Sequence, residues 1–178
     1  AGHAGVVRLL MAHGANTETV TAMGATALHL AAQFGHADTV RILLQAGAFA
    51  DAPQPDGATA LHLATENKHM AVVRELVQGG ASVDLAAYKG WRTLHMACES
   101  GEVAIARLLL EAGAQPSAPR ADGRTPLHFA AQRLPQNAAL VAALLEHGAH
   151  VDARSVAGET ALHVAVRLMS ADVAKLLL

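Results

Sequence analysis

Five histidines set the first question the sequence poses. His29, His62, His95 and His128 lie 33 residues apart, each inside a Leu-His-x-Ala tetrad, and His163 repeats the tetrad after 35 residues. Imidazoles in such number invite a metal or acid–base reading. The period argues against it. One histidine per unit of a stacked helical array puts successive imidazoles about 8 to 10 Å apart. Zinc takes its ligands at about 2 Å, hence within about 4 Å of one another. The histidines cannot converge, so no metal site and no metal partner is expected, and the set reads as structural. His3, His36 and His69 are equally periodic.

Other catalytic chemistry is equally poorly served. Cys98 is the single cysteine, which rules out an internal disulfide and points to a small buried thiol in a reducing compartment. The sequence holds no nucleophile elbow, phosphate-binding glycine loop, His-Glu-x-x-His or paired-cysteine signature. An enzyme is not expected, nor a cofactor. Arg8, Arg41, Arg74 and Arg107 also recur every 33 residues, but with Glu75 and Glu111 close in sequence they read as a solvated outer face. Trp, Tyr and Arg are the side chains most often found as interface anchors. The one Trp and the one Tyr fall together in Tyr88-Lys89-Gly90-Trp91-Arg92.

The elements that hold these residues follow from one unit. In residues 24–50, Thr26 suits a helix N-cap, and Leu28, Ala31 and Ala32 recur at helical spacing through Phe34. Gly35-His36 interrupts, and Val40, Leu43 and Leu44 form a second apolar stripe that stops at Gly47, which accepts a left-handed conformation. An extended connection with the turn Pro55-Asp56-Gly57 leads into the next unit. So small a hairpin cannot bury its apolar face alone and must stack on its neighbours. The composition agrees: 52 % apolar with 3 % aromatic residues implies closely packed helices lined by Ala and Leu.

Asp122-Gly123-Arg124-Thr125-Pro126-Leu127-His128-Phe129-Ala130-Ala131 closely resembles the ankyrin repeat, as do the Gly-His turns and the Gly-Ala helix ends. The resemblance implies an all-α solenoid of stacked helix-turn-helix repeats with β-turn fingers. It divides one domain, 1–178, into a partial repeat 1–20, repeats 21–53, 54–86, 87–119 and 120–154, and a truncated repeat 155–178. A chain that begins and stops in mid-repeat reads as a piece of a longer protein. The resemblance further implies that partners bind a concave surface of fingers and short inner helices. Carried over by position, that surface holds Tyr88, Lys89, Trp91, Asp122 and Arg124 on fingers, and Phe34, Glu66, Asn67 and Glu99 on inner helices. Arg92 and Thr93 replace the family's Thr-Pro, which removes a side-chain cap. In the family the recurring histidine bonds loop backbone. Arg133 to Asn137 carry a two-residue insertion in place of a Gly-His turn.

A protein-interaction module is therefore expected, binding a protein or peptide partner through Tyr88, Lys89, Trp91, Arg92 and their neighbours, within a larger intracellular signalling or regulatory protein of the cytoplasm or nucleus. Two other readings stand beside it. Tyr88 and Trp91 near Glu99 could form an aromatic site for methylated lysine, or the array could be a spacer with Trp91 packed against an adjacent finger. A net charge of −2, from 13 basic and 15 acidic residues, gives no reason to expect nucleic acid. No apolar run reaches the roughly 18 to 20 residues of a membrane span.

Overall fold

The alternation of short and longer apolar stripes becomes an alternation of short and longer helices. The computed structural model describes residues 4–132 and 137–178, and among these it contains eleven α-helices and no strand. They fall into two compact units, residues 1–88 and 89–178.

In the first unit, helices α1 (Ala4–Ala12), α2 (Ala27–Gln33), α3 (Ala37–Gln45), α4 (Ala60–Glu66) and α5 (Met70–Gln78) form antiparallel pairs α2–α3 and α4–α5. The short helices α2 and α4 pack side by side, and the longer α1, α3 and α5 stack behind them. Val40, Leu43, Leu61, Val72, Val73 and Leu76 fill the space between the rows and are fully buried. Ala32, Ala60 and Ala64 are buried too and allow the close approach. The second unit repeats the plan with α6 (Thr93–Ser100), α7 (Val103–Glu111), α8 (Pro126–Ala130), α9 (Asn137–Glu146), α10 (Ala161–Arg167) and α11 (Ala171–Leu176) around Leu94, Ile105, Leu109, Leu127, Leu140 and Leu144. Cys98 lies in this core, and burial raises its thiol well above the ordinary range. Residues 133–136 lie outside the described residues, so the expected insertion at Arg133 to Asn137 has no structural description there.

The short helices α2, α4, α8 and α10 start the same way. Thr59 donates its backbone N–H to Nδ1 of His62 at 3.2 Å, and Thr26, Thr125 and Thr160 make the same bond to His29, His128 and His163. The threonine hydroxyl answers toward the third helical residue, as at His29 N–H, 3.4 Å. This is a capping box with histidine in the place of the usual glutamate. Because Nδ1 accepts a backbone donor, the neutral ring carries its proton on Nε2, and in His128 that nitrogen donates to the Glu159 carbonyl at 2.9 Å. His128 thus ties the start of α8 to the next finger, while Nε2 of His29 is buried without a hydrogen-bond partner.

Between the helix pairs the chain forms fingers closed by turn hydrogen bonds, such as Gly123 N–H to Arg120 O at 3.0 Å and Arg120 N–H to Arg124 O at 2.9 Å. Gly123 is needed twice over. Its φ is 75°, and a Cβ there would meet Val156 N at 2.8 Å.

Candidate functional site

The finger around Trp91 departs from its neighbours in backbone and in side chains. Tyr88–Gly90 winds a 3₁₀ turn in which Lys89 takes φ 56° and ψ 23°. In the other fingers only the glycine is left-handed. A non-glycine residue in that region stores strain of order 1 kcal/mol or more. Tyr88 closes the first unit and is 64 % exposed, while Lys89, also exposed, opens the second.

Trp91 is half-buried within the second unit. Its ring lies 5.2 Å from Phe129 and 6.2 Å, edge-on, from His95. The Arg120 guanidinium sits over the indole at 4.1 Å and over Phe129 at 5.2 Å, within cation–π range of both. Arg120 also pairs with Asp122 at 3.3 Å, and its side chain is only 14 % exposed. The finger's aromatic is thus packed onto the adjoining finger by a cation. Arg120 is absent from the residues the sequence singled out. It precedes the turn tip, and its partners Trp91 and Phe129 are distant in sequence, so only the fold shows the stack.

Arg92 occupies the N-cap of α6. A guanidinium has donors and no acceptor, so the hydroxyl half of the capping box is missing, as expected. The other half survives: Arg92 N–H donates to Nδ1 of His95 at 3.3 Å. The side chain turns to the following connection, where it donates to the Pro119 carbonyl at 3.0 Å. His95 pays the electrostatic consequence. Burial first, then the charges of Arg92 and Arg120, lower its pKa to about 4, against the opposing pull of the Ala118 and Arg124 carbonyls. Those carbonyls lie near without closing a good hydrogen bond, since Nε2 of His95 is buried and unsatisfied. In the first unit burial likewise lowers His29.

The remaining expected contact residues divide by unit. In the second, Arg124 is half-buried and pairs with Glu159 at 3.7 Å, while Arg167 bonds the other oxygen of the same carboxylate. Asp122 receives Arg124 N–H at 3.1 Å, and Glu99 is exposed on α6. In the first, Glu66 and Asn67 are exposed at the end of α4, with Asn67 donating to the Leu63 carbonyl at 2.9 Å. Phe34 is 62 % exposed, with the His36 ring centred 6.4 Å away.

The recurring arginines face out. Arg41 bonds Glu75 of the next long helix at 3.2 Å and Asp38 on its own, and Arg107 reaches Glu146 at 3.4 Å. Glu75 and Glu146 lie one repeat further on than the arginines they meet, where sequence neighbours had pointed to Glu111. Among the described residues no group of three or more His, Cys, Asp or Glu is placed to hold a metal ion, and no helix is long and apolar enough to cross a membrane.

A family model described as ankyrin repeats in three copies matches residues 1–54, 49–120 and 114–178. No individual curated protein matches the sequence. With capped short helices, finger turns and stacked pairs in both units and the family match running from end to end, the chain belongs to the ankyrin repeats, a family that typically serves as a non-catalytic module for binding other proteins.

Proposed function

We propose that this chain is a recognition module for a protein partner, contacting it through finger tips and short-helix ends, and that it performs no catalysis of its own. One observation carries the reading. The finger tips present large apolar side chains to solvent: Met23 is 83 % exposed, Tyr88 64 % and Val156 82 %. Each sits on a turn held by backbone hydrogen bonds or by the 3₁₀ winding at Tyr88. Apolar anchors on a rigid support lose little entropy when a partner covers them. A spacer has no use for them.

Lys89, Asp122 and Arg124 supply polar groups on the fingers of the second unit, Arg92 and Trp91 hold their finger in place, and Phe34, Glu66, Asn67 and Glu99 mark the short-helix ends. An intracellular setting, cytoplasmic or nuclear, fits the single buried thiol. The methyl-lysine reading is weakened by geometry, because the Trp91 face such a cation would need is taken by Arg120. The test is photo-crosslinking from positions 88 and 156 in the whole chain, with Arg41 and Arg107 positions as outer-face controls. Adducts with a common partner from the finger positions alone support the reading. Adducts from the outer face alone contradict it.

A further inference from the structure

In the first unit the two finger turns are joined differently from those of the second. In the second unit Ala121 donates its N–H to Lys89 O at 3.0 Å, and Val156 donates to Asp122 O at 2.9 Å. By the same register the donor to Met23 O would be residue 55, and residue 55 is proline, which has no N–H. The two fingers meet instead through the Pro55 ring laid on Gly24, where a Cβ would come within 2.7 Å of Pro55 Cδ. Beside this untied junction lies an open groove of about 580 Å³ between the fingers and the short helices α2 and α4.

The groove has an apolar floor and a polar edge of defined sign. Met23, Leu30, Pro55 and Leu63 line it, and Met23 and Leu30 are exposed in the free chain. Gln33, Gln54 and Asp56 stand along it. Asp56 uses Oδ1 to accept the Ala58 N–H at 3.0 Å. Its Oδ2 and the side-chain amides of Gln33 and Gln54 have no partner among the described residues. The unit as a whole has four basic residues against seven acidic ones.

We infer that this groove takes an extended peptide segment of a partner protein, bearing an aliphatic side chain next to a lysine or arginine. The aliphatic group covers Met23 and Leu30, the glutamine amides bond the peptide backbone, and the cation meets Asp56 Oδ2. Unpaired amides suit an extended chain, whose backbone groups have no partners of their own. The net negative charge of the unit favours a basic segment and opposes an acidic one. The inference rests on the reading of the chain as a binding module and names the partner chemistry of one part of it.

The experiment selects linear random peptides displayed on phage against the whole chain and measures the winners as fluorescent peptides. Peptides pairing an aliphatic residue with Lys or Arg are expected. Their affinity should fall at least about tenfold with Met23→Asp and with Asp56→Asn, the scale of losing an interface anchor, and should weaken with salt. Both positions are exposed, and asparagine keeps the Oδ1 that caps the turn, so unchanged circular dichroism confirms that folding is intact. Selection of acidic peptides, or binding indifferent to both substitutions, overturns the inference. If such binding is instead lost with Tyr88→Ala or Val156→Ala, the module reading survives while the groove assignment falls. If no peptide is selected, the groove assignment falls and the crosslinking test decides the module reading.

Discussion

Arg120 is the residue on which the Trp91 finger turns. Its guanidinium is held by Asp122, Trp91 and Phe129 at once, and removing it leaves two aromatic faces without their cation. Arg120→Ala is expected to lower unfolding free energy by about 1 to 2 kcal/mol, the scale of a desolvated cation–π contact. It should also change the emission of Trp91, the chain's one tryptophan. Urea melts followed by circular dichroism and fluorescence check both, and an unchanged spectrum would show that the stack is not made in solution.

His95 adds a pH dependence. Its folded pKa of about 4 lies below the ordinary 6.5, so between those values the unfolded chain takes up a proton that the folded chain refuses. The stability it lends is complete above about pH 6.5, declines as pH falls toward 4, and is level below that. The full effect is of order 3 kcal/mol, and His29 pushes the same way. Denaturant midpoints from pH 7.5 to 4 should fall, and His95→Gln should flatten the slope. The sequence drew attention to Trp91 and to the structural histidines, but Arg120 could not be found there. Nothing in its local pattern marks it, because a stack across two fingers depends on three-dimensional register.

At the scale of elements the start of α6 is the instructive case. The Thr-to-Arg exchange at 92 was visible in the sequence, as was the loss of a hydroxyl cap. The compensation was not visible: a long side chain reaches the Pro119 carbonyl, and His95 still accepts the backbone N–H. Arg92→Thr restores the hydroxyl, worth about 1 kcal/mol at an N-cap, and removes a cation beside His95. It is expected to raise the urea midpoint and to bring the histidine's pKa up, as read by proton NMR of the ring. A lower midpoint would mean that the Pro119 bond outweighs the cap. The finger junction in the first unit offers a second test. Pro55→Ala supplies the missing N–H opposite Met23 O, and that amide is expected to be protected in hydrogen exchange as Ala121 and Val156 should be. An amide exchanging at the rate of a free turn would show that the register does not carry over.

Across the molecule, the 33-residue period was enough to place the helix pairs, because each unit's apolar residues make sense only when stacked on the next. Thr26, Gly47 and the Gly-His turn marked helix ends that the structure reproduces: α2 begins after Thr26 and α3 ends before Gly47. Working surface is harder to read from periodicity, since the residues free to differ are those on which the repeat places no demand. Met23 looked like any finger residue until its exposure and its place in the groove were seen, and the unpaired Oδ2 of Asp56 depends on which neighbours the fold brings near. The Arg41–Glu75 and Arg107–Glu146 pairs show the same limit, as partners one repeat apart.

The measurement that bears most directly on function compares partner capture by the whole chain with capture by the finger-tip variants Tyr88→Ala, Val156→Ala and Met23→Asp and by the long-helix variants Arg41→Ala and Arg107→Ala, each checked for an unchanged urea midpoint. Finger-tip changes are expected to weaken capture of a specific protein at least about tenfold, while outer-face changes leave it intact. Loss from the outer face with the finger tips indifferent would contradict the assignment of the fingers as the recognition surface.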